Sequence, residues 1–162
     1  MTGYFRDLFA YDRWANGVMM GYLREHAGEP DQERLRGIFA HLIANMTPWV
    51  YLLRGEAAPE GMDLDPVWSV EECAAQLALR ETELETILEG LVEADLERFV
   101  RSPGPAGRVW EDTVAEVLTN ILLHGQHHRG QMEMVIEEQT GSYRNTFYMA
   151  YIRKRGRAGF SS

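Results

Sequence analysis

His124 and His128 lie four residues apart in the stretch HGQHHRGQ, inside a segment otherwise patterned as a helix. That spacing puts both imidazoles on one helical face, side by side. Val117, Ile121 and Val135 share the face, so it points into the interior of a bundle. Two neighbouring buried imidazoles need polar partners, because an unpaired polar group in an apolar interior is costly. One divalent cation satisfies both, and imidazole suits zinc, nickel, copper and iron alike. His41, one turn from Ile38 and Asn45 on the inward face of another helical segment, is the candidate third ligand. Ligands projecting from facing helices are how bundles build metal centres. The competing reading is a set of hydrogen-bonded core histidines with no ion among them.

Other metal chemistries fail on spacing. A zincin places Glu directly after its first histidine, and Gly125 stands there. A ferritin-like di-iron site needs two Glu-x-x-His pairs, which this chain lacks. With Cys73 as the single cysteine there is no Cys-x-x-Cys, and no phosphate-binding glycine loop occurs. A mononuclear three-histidine site with open positions survives. Gly125 and Gly130 each cost a helix about 1 kcal/mol relative to Ala, so something must require them.

Lesser candidates have simpler readings. His127 lies off the apolar stripe, as a neighbour of the ligands or a solvated residue, and His26 is a favourable charge at a helix end. Tyr11 and Trp14 read as packing, and Asn16 as a hydrogen-bonding group within the bundle. Arg129 reads as the partner of one of the chain's many acids rather than of an anionic cofactor. Cys73 reads as a small hydrophobe, and Glu133, Glu137 and Glu138 as a solvated face.

The elements that must position these residues are helices. Apolar residues recur at helical spacing in four blocks: about Thr2 to His26, about Asp31 to Arg54, Val70 to Leu91, and Val114 to Val135. Gly28, Gly55, Gly90 and Gly141 stand just past the expected ends. Ser69 with Glu72 and Thr113 with Glu116 form capping boxes that start the third and fourth helices. The polar loop from Gly55 to Trp68 can extend about 45 Å. That exceeds the roughly 36 Å of a 24-residue helix, so helices two and three are free to run parallel. Phe99 to Trp110 holds a Pro/Gly turn between two β-prone pieces, consistent with a small hairpin before helix four. Pro48, inside the second block, predicts a kink one to two turns past His41, with Thr47-Pro48 restarting the helix. The expected fold is an all-α four-helix bundle formed by residues 1–162 as one domain.

Composition narrows the partners. A net charge of −9 argues against non-specific binding to nucleic acid or an anionic membrane. Arg153, Lys154, Arg155 and Arg157 form a local basic exception, read as a solvated end. No apolar run approaches the roughly 18 residues of a membrane span. The early charges of MTGYFRDLFAYDRW do not fit a signal peptide. With one cysteine these features predict a cytoplasmic protein. The apolar run Phe147, Tyr148, Met149, Tyr151 and Ile152 is large for the surface of a monomer; docking on its own bundle would also cover it.

YDRWAN in the first helix, His41 followed by TPWVYLLRG, VWEDTVAEVL and above all LLHGQHHRGQM resemble the DinB-like superfamily, over nearly the whole chain. These are damage-inducible four-helix proteins, including S-transferases that use bacillithiol or mycothiol. The resemblance implies an up-down-down-up bundle with a crossover between helices two and three, and a homodimer. It also implies a zinc or nickel ion on His41, His124 and His128, with Gly125 and Gly130 as points of close approach. The implied activity is transfer of a low-molecular-weight thiol such as bacillithiol to a small electrophile in stress or detoxification. An open metal position would equally serve a hydrolase of small esters or amides, or a metal-binding stress protein without turnover. No Glu is placed by motif as a general base near the histidines, which favours thiol transfer.

Overall fold

The computed structural model describes residues 1–29 and 32–156. Six α-helices, α1 Thr2–Glu25, α2 Gln32–Ala44, α3 Met46–Leu53, α4 Val70–Gly90, α5 Val114–Thr140 and α6 Tyr148–Arg155, make the chain mostly helical. Strands β1 Phe99–Pro103 and β2 Val109–Thr113 form a two-stranded antiparallel sheet directly before α5, with Val100 opposite Asp112. This is the hairpin expected from the Pro/Gly turn. The turn closes with Gly104 N–H on Arg108 O at 2.8 Å. A side chain at Gly104 would strike the Trp110 ring, whose Nε1 lies 2.6 Å from where its Cβ would be.

Both capping boxes form. Ser69 Oγ accepts from the Glu72 amide at 3.1 Å while Glu72 Oε2 accepts from the Ser69 amide at 2.7 Å. Thr113 and Glu116 repeat the exchange at 3.2 and 2.7 Å, which fixes where α5 begins and so the height of its histidines. Gly28, Gly55 and Gly141 take the expected left-handed backbone, at φ 96°, 78° and 69°. Gly90 does not, and is simply the last residue of α4.

The second apolar block is two helices. The break falls at Asn45, one turn past His41 and three residues before Pro48. Pro48 lacks an amide hydrogen and its ring crowds the preceding turn, so a helix tolerates it only near a start. The chain restarts at Met46, which leaves Pro48 in the first turn of α3. The start expected at about Asp31 is not described, and α2 is seen from Gln32.

Side-chain bonds show which ends meet. Arg6 Nε donates to Leu88 O at 3.0 Å and Arg13 pairs with Glu85 at 2.9 Å, so the start of α1 meets the end of α4. Arg34 lies 3.9 Å from Glu138, and His41 lies beside His124, so the start of α2 meets the end of α5. Between the helices sits a core that includes Leu23, Phe39, Ile43, Val50, Leu118 and Met132, all within 1% of full burial. At about 1.5–3 kcal/mol per large apolar side chain, this interior supports the bundle without help from the histidines. None of the described helices is long and apolar enough to cross a membrane.

The segment after α5 docks on its own chain. Tyr148 and Tyr151 pack on Tyr11 with ring centroids 5.2 and 5.8 Å apart, and Tyr151 also meets Trp14. Phe147 and Met149 face outward, each about half exposed. Arg155 pairs with Asp7 at 3.0 Å; Arg157 lies outside the described residues.

Candidate metal centre

Residues α2 and α5 carry bring three imidazoles together. The ring centroids of His41, His124 and His128 are 4.3 to 5.5 Å apart, and one nitrogen from each lies within 4.8 Å of the other two. His124 Nε2 and His128 Nε2 approach to 3.0 Å. Three nitrogens around one zinc at about 2.0–2.1 Å stand roughly 3.4 Å from one another. The donor set fits a divalent ion with sub-ångström to ångström adjustments of ring position.

Neighbouring groups settle which nitrogen is free in His41 and His128. Asp65 Oδ1 lies 2.6 Å from His41 Nδ1. A carboxylate only accepts, so Nδ1 carries the hydrogen and the lone pair of the neutral ring is on Nε2. Gln131 Oε1 lies 2.8 Å from His128 Nδ1 and has the same effect there. His128 Nε2 is then an acceptor, and the 3.0 Å contact is a hydrogen bond from His124 Nε2–H when no ion is held. Burial, then the charge of the neighbouring imidazoles, pushes His124 down to about 4. Burial also lowers His128, against the Gln131 bond. Both rings are neutral at pH 7, the form that coordinates metal.

Asp65 belongs to the long loop between α3 and α4, and Asn45 ties that loop to the helix that carries His41. Asn45 Nδ2 donates to His41 O at 2.9 Å and to Leu64 O at 3.3 Å. The residue at the helix break therefore holds both His41's turn and the loop that orients its ring. Carboxylates behind ligating histidines typically contribute 10–100-fold in metal affinity. Asp65→Asn is expected to weaken zinc binding by roughly tenfold or more at unchanged thermal stability, read by competition with a chromophoric chelator. Unchanged affinity would make the contact incidental.

Behind the histidines is a buried ion pair. Arg129, fully buried, places Nη1 2.7 Å from Asp12 Oδ1 and donates from it to Asn16 Oδ1 at 2.6 Å. The Asp12 contact is a close ion pair whose angle falls outside hydrogen-bond geometry. Asn16 Nδ2 donates to Asp12 Oδ2 at 3.1 Å and closes the set. Gly125 makes room for it: a Cβ there would lie 3.0 Å from both Arg129 Nη1 and Asp12 Oδ1. Gly130 meets nothing within 4 Å, so the close approach expected there is absent. A cavity of about 10 Å³, enough for about one water, lies beside Asp12 and His124 and is also lined by Asn45 and Trp49.

Of the lesser candidates, Arg129 pairs with an acid and Asn16 bonds within the bundle, as expected, and the acid is Asp12. Cys73 is buried, with its thiol pushed up to about 11 by burial, which removes it as a nucleophile. His127 is exposed and lies 3.2 Å from Gln131 Nε2. His26 closes α1, stacked on Tyr22 and 3.0 Å from Glu29. Tyr11 is packing with a polar end, its hydroxyl bonded to Gln126 and to Thr146 O. Glu133 departs from the expected solvated face. It is buried and accepts from the amide and hydroxyl of Thr146, pinning the segment that leads into α6. Glu137 and Glu138 are exposed.

A model of the DinB superfamily matches residues 24–132, two-thirds of the chain and all three histidines. The chain belongs to the DinB superfamily. It is 21% identical over 169 residues to Protein DinB of Bacillus subtilis (strain 168), across 94% of this chain and 95% of that one. No solved structure matches it. Asp12 and Asn16, the acid and amide that hold Arg129, lie on the part of α1 that precedes the matched residues.

Proposed function

We propose that His41, His124 and His128 hold one divalent ion, zinc or nickel, and that this DinB-superfamily chain transfers a low-molecular-weight thiol of the bacillithiol type to small electrophiles. The observation that carries the reading is the convergence of three imidazoles with two Nδ1–H groups engaged from behind. When bound, such an ion acts as a Lewis acid and lowers the pKa of a thiol or water that it holds. Asp65 and Gln131 aim the His41 and His128 lone pairs. Trp49 and Leu42 wall the inner side, where the cavity admits little more than one water. Asp65, the carboxylate at the ligands, is engaged with His41, and Asp12 with Arg129, so neither is free to act as a base. Thiol transfer needs no such base, because a thiolate is already the nucleophile.

The assembly we propose is a cytoplasmic homodimer built on one domain, with the winding up-down-down-up. The end-to-end pairings of α1 with α4 and of α2 with α5 support that winding. Phe147 and Met149, left outward by α6, support a second copy as their cover.

The test is metal analysis of the purified protein followed by conjugation of bacillithiol to a fluorogenic electrophile. Metal-loaded protein is expected to accelerate conjugation, and stripped protein to lose the acceleration and regain it on reloading. Hydrolysis of a simple nitrophenyl ester without conjugation would favour a hydrolase. Stoichiometric metal with neither activity would leave a metal-binding protein.

A further inference from the structure

A second cavity, independent of the histidines, opens between α1 and α4. It measures about 170 Å³, and Phe9, Ala10, Met46, Leu84 and Leu88 form its apolar wall. Asp12, Glu81, Glu85, Glu89, Arg6 and Arg13 supply its charges. Both arginines bond to α4. Arg6 donates to Leu88 O, Glu89 O and Leu91 O at the end of α4. Arg13 holds Glu85 at 2.9 and 3.2 Å and reaches Glu81 only at 3.9 Å.

Glu81 is the group left over. Its side chain is four-fifths buried, and Oε1 has no hydrogen-bond partner among the described residues. A buried carboxylate oxygen without a donor loses the full hydration of that atom. Burial pushes its carboxyl up to about 7, against the pull of Arg13. Asp12, on the same wall, adds a second negative charge that Arg129 reaches from the other side. An apolar chamber with four acids on its wall, Glu81 and Glu89 without a hydrogen-bonded cation among the described residues, is complementary to a cation with an apolar body.

We propose that the α1–α4 cavity binds a small primary ammonium compound, its apolar body against Phe9, Leu84, Leu88 and Met46 and its ammonium on the partly exposed side of the Glu81 carboxylate. An apolar cavity of about 150 Å³ accepts benzene, so the body here is about one aromatic ring or a comparable aliphatic chain. The anion-selective alternative is disfavoured by charge, since the four acids on the wall, Asp12, Glu81, Glu85 and Glu89, outnumber its two arginines.

Benzylammonium and the uncharged benzyl alcohol are the probes, titrated into the full-length protein by calorimetry or ligand-observed NMR. Benzylammonium is expected to saturate one site in the millimolar range or tighter. Benzyl alcohol should bind about tenfold more weakly, the effect of one charge-assisted hydrogen bond. Glu81→Gln should erase that preference, and Ala10→Trp, at the exposed mouth, should weaken both probes without altering the fold. His124→Ala should bind benzylammonium as the wild type does, which separates this site from the metal reading. Equal binding of the two probes in the wild type, or no saturable binding of either, overturns the proposal. A preference that survives in Glu81→Gln also overturns it.

Discussion

His124→Ala and His128→Ala are each expected to lose stoichiometric metal after dialysis while keeping the wild-type far-ultraviolet circular dichroism. Each removes one of three protein ligands. If the ligands share a binding free energy of the order found for small zinc sites, one is worth on the order of 3 kcal/mol, a hundredfold or more in affinity. The fold survives because the fully buried side chains lie elsewhere, while the histidines are half-buried at the edge of the core. Metal measured by plasma mass spectrometry, with a chelator competition for affinity, decides the outcome. Wild-type protein that neither carries nor takes up metal would identify the cluster as core histidines satisfied by the 3.0 Å bond between His124 and His128.

Arg129→Ala is expected to produce the largest loss of stability among single substitutions in α5. Arg129 is fully buried and Asp12 is 4% exposed, so the variant strands a carboxylate in the interior. Breaking a buried pair from one side costs about 3–5 kcal/mol, a large part of the 5–15 kcal/mol that typically holds a domain together. The denaturant midpoint should fall accordingly. Asp12→Ala combined with Arg129→Met should recover much of the loss, because removing both charges leaves neither uncompensated. Burial holds Asp12 above its ordinary range even with Arg129 beside it. A single variant as stable as the wild type would mean that the pair contributes specificity alone.

Much of this was legible from local rules. Helix starts came from Ser69 and Thr113, whose caps depend on neighbours three residues away. The His124–His128 pair followed from spacing on one helix, and His41 from its place on an apolar face. What escaped depends on contacts distant in sequence. Asp65 is one acid among several in an irregular loop, and nothing local marks it as the one that reaches His41. Asp12 did leave a signal: an acid on the stripe of Tyr11, Ala15 and Met19 demands a cation in the interior. Glu133 escaped because its partner, Thr146, lies on a segment that has no periodicity of its own. The break in the second block falls at Asn45, inside the range expected one to two turns past His41, but the bond from Asn45 to the loop at Leu64 is invisible in helix propensity.

The Arg129 pair also bears on how exactly α5 is set about its own axis. Apolar packing has no preferred direction, and a helix held by it alone is free to roll a few degrees or slip along its neighbours. His124 and His128 occupy one face of α5; Gly125 and Arg129 lie one residue on, about 100° around the helix. A roll that moved the histidines would drag the guanidinium off Asp12 and Asn16, so the pair works as a detent that fixes the rotational phase. The HGQHHRGQ stretch is thus a key cut on two sides, with its ligand side indexed by the buried one. Inserting a single residue anywhere between Thr113 and His124 would turn both sides out of register at once.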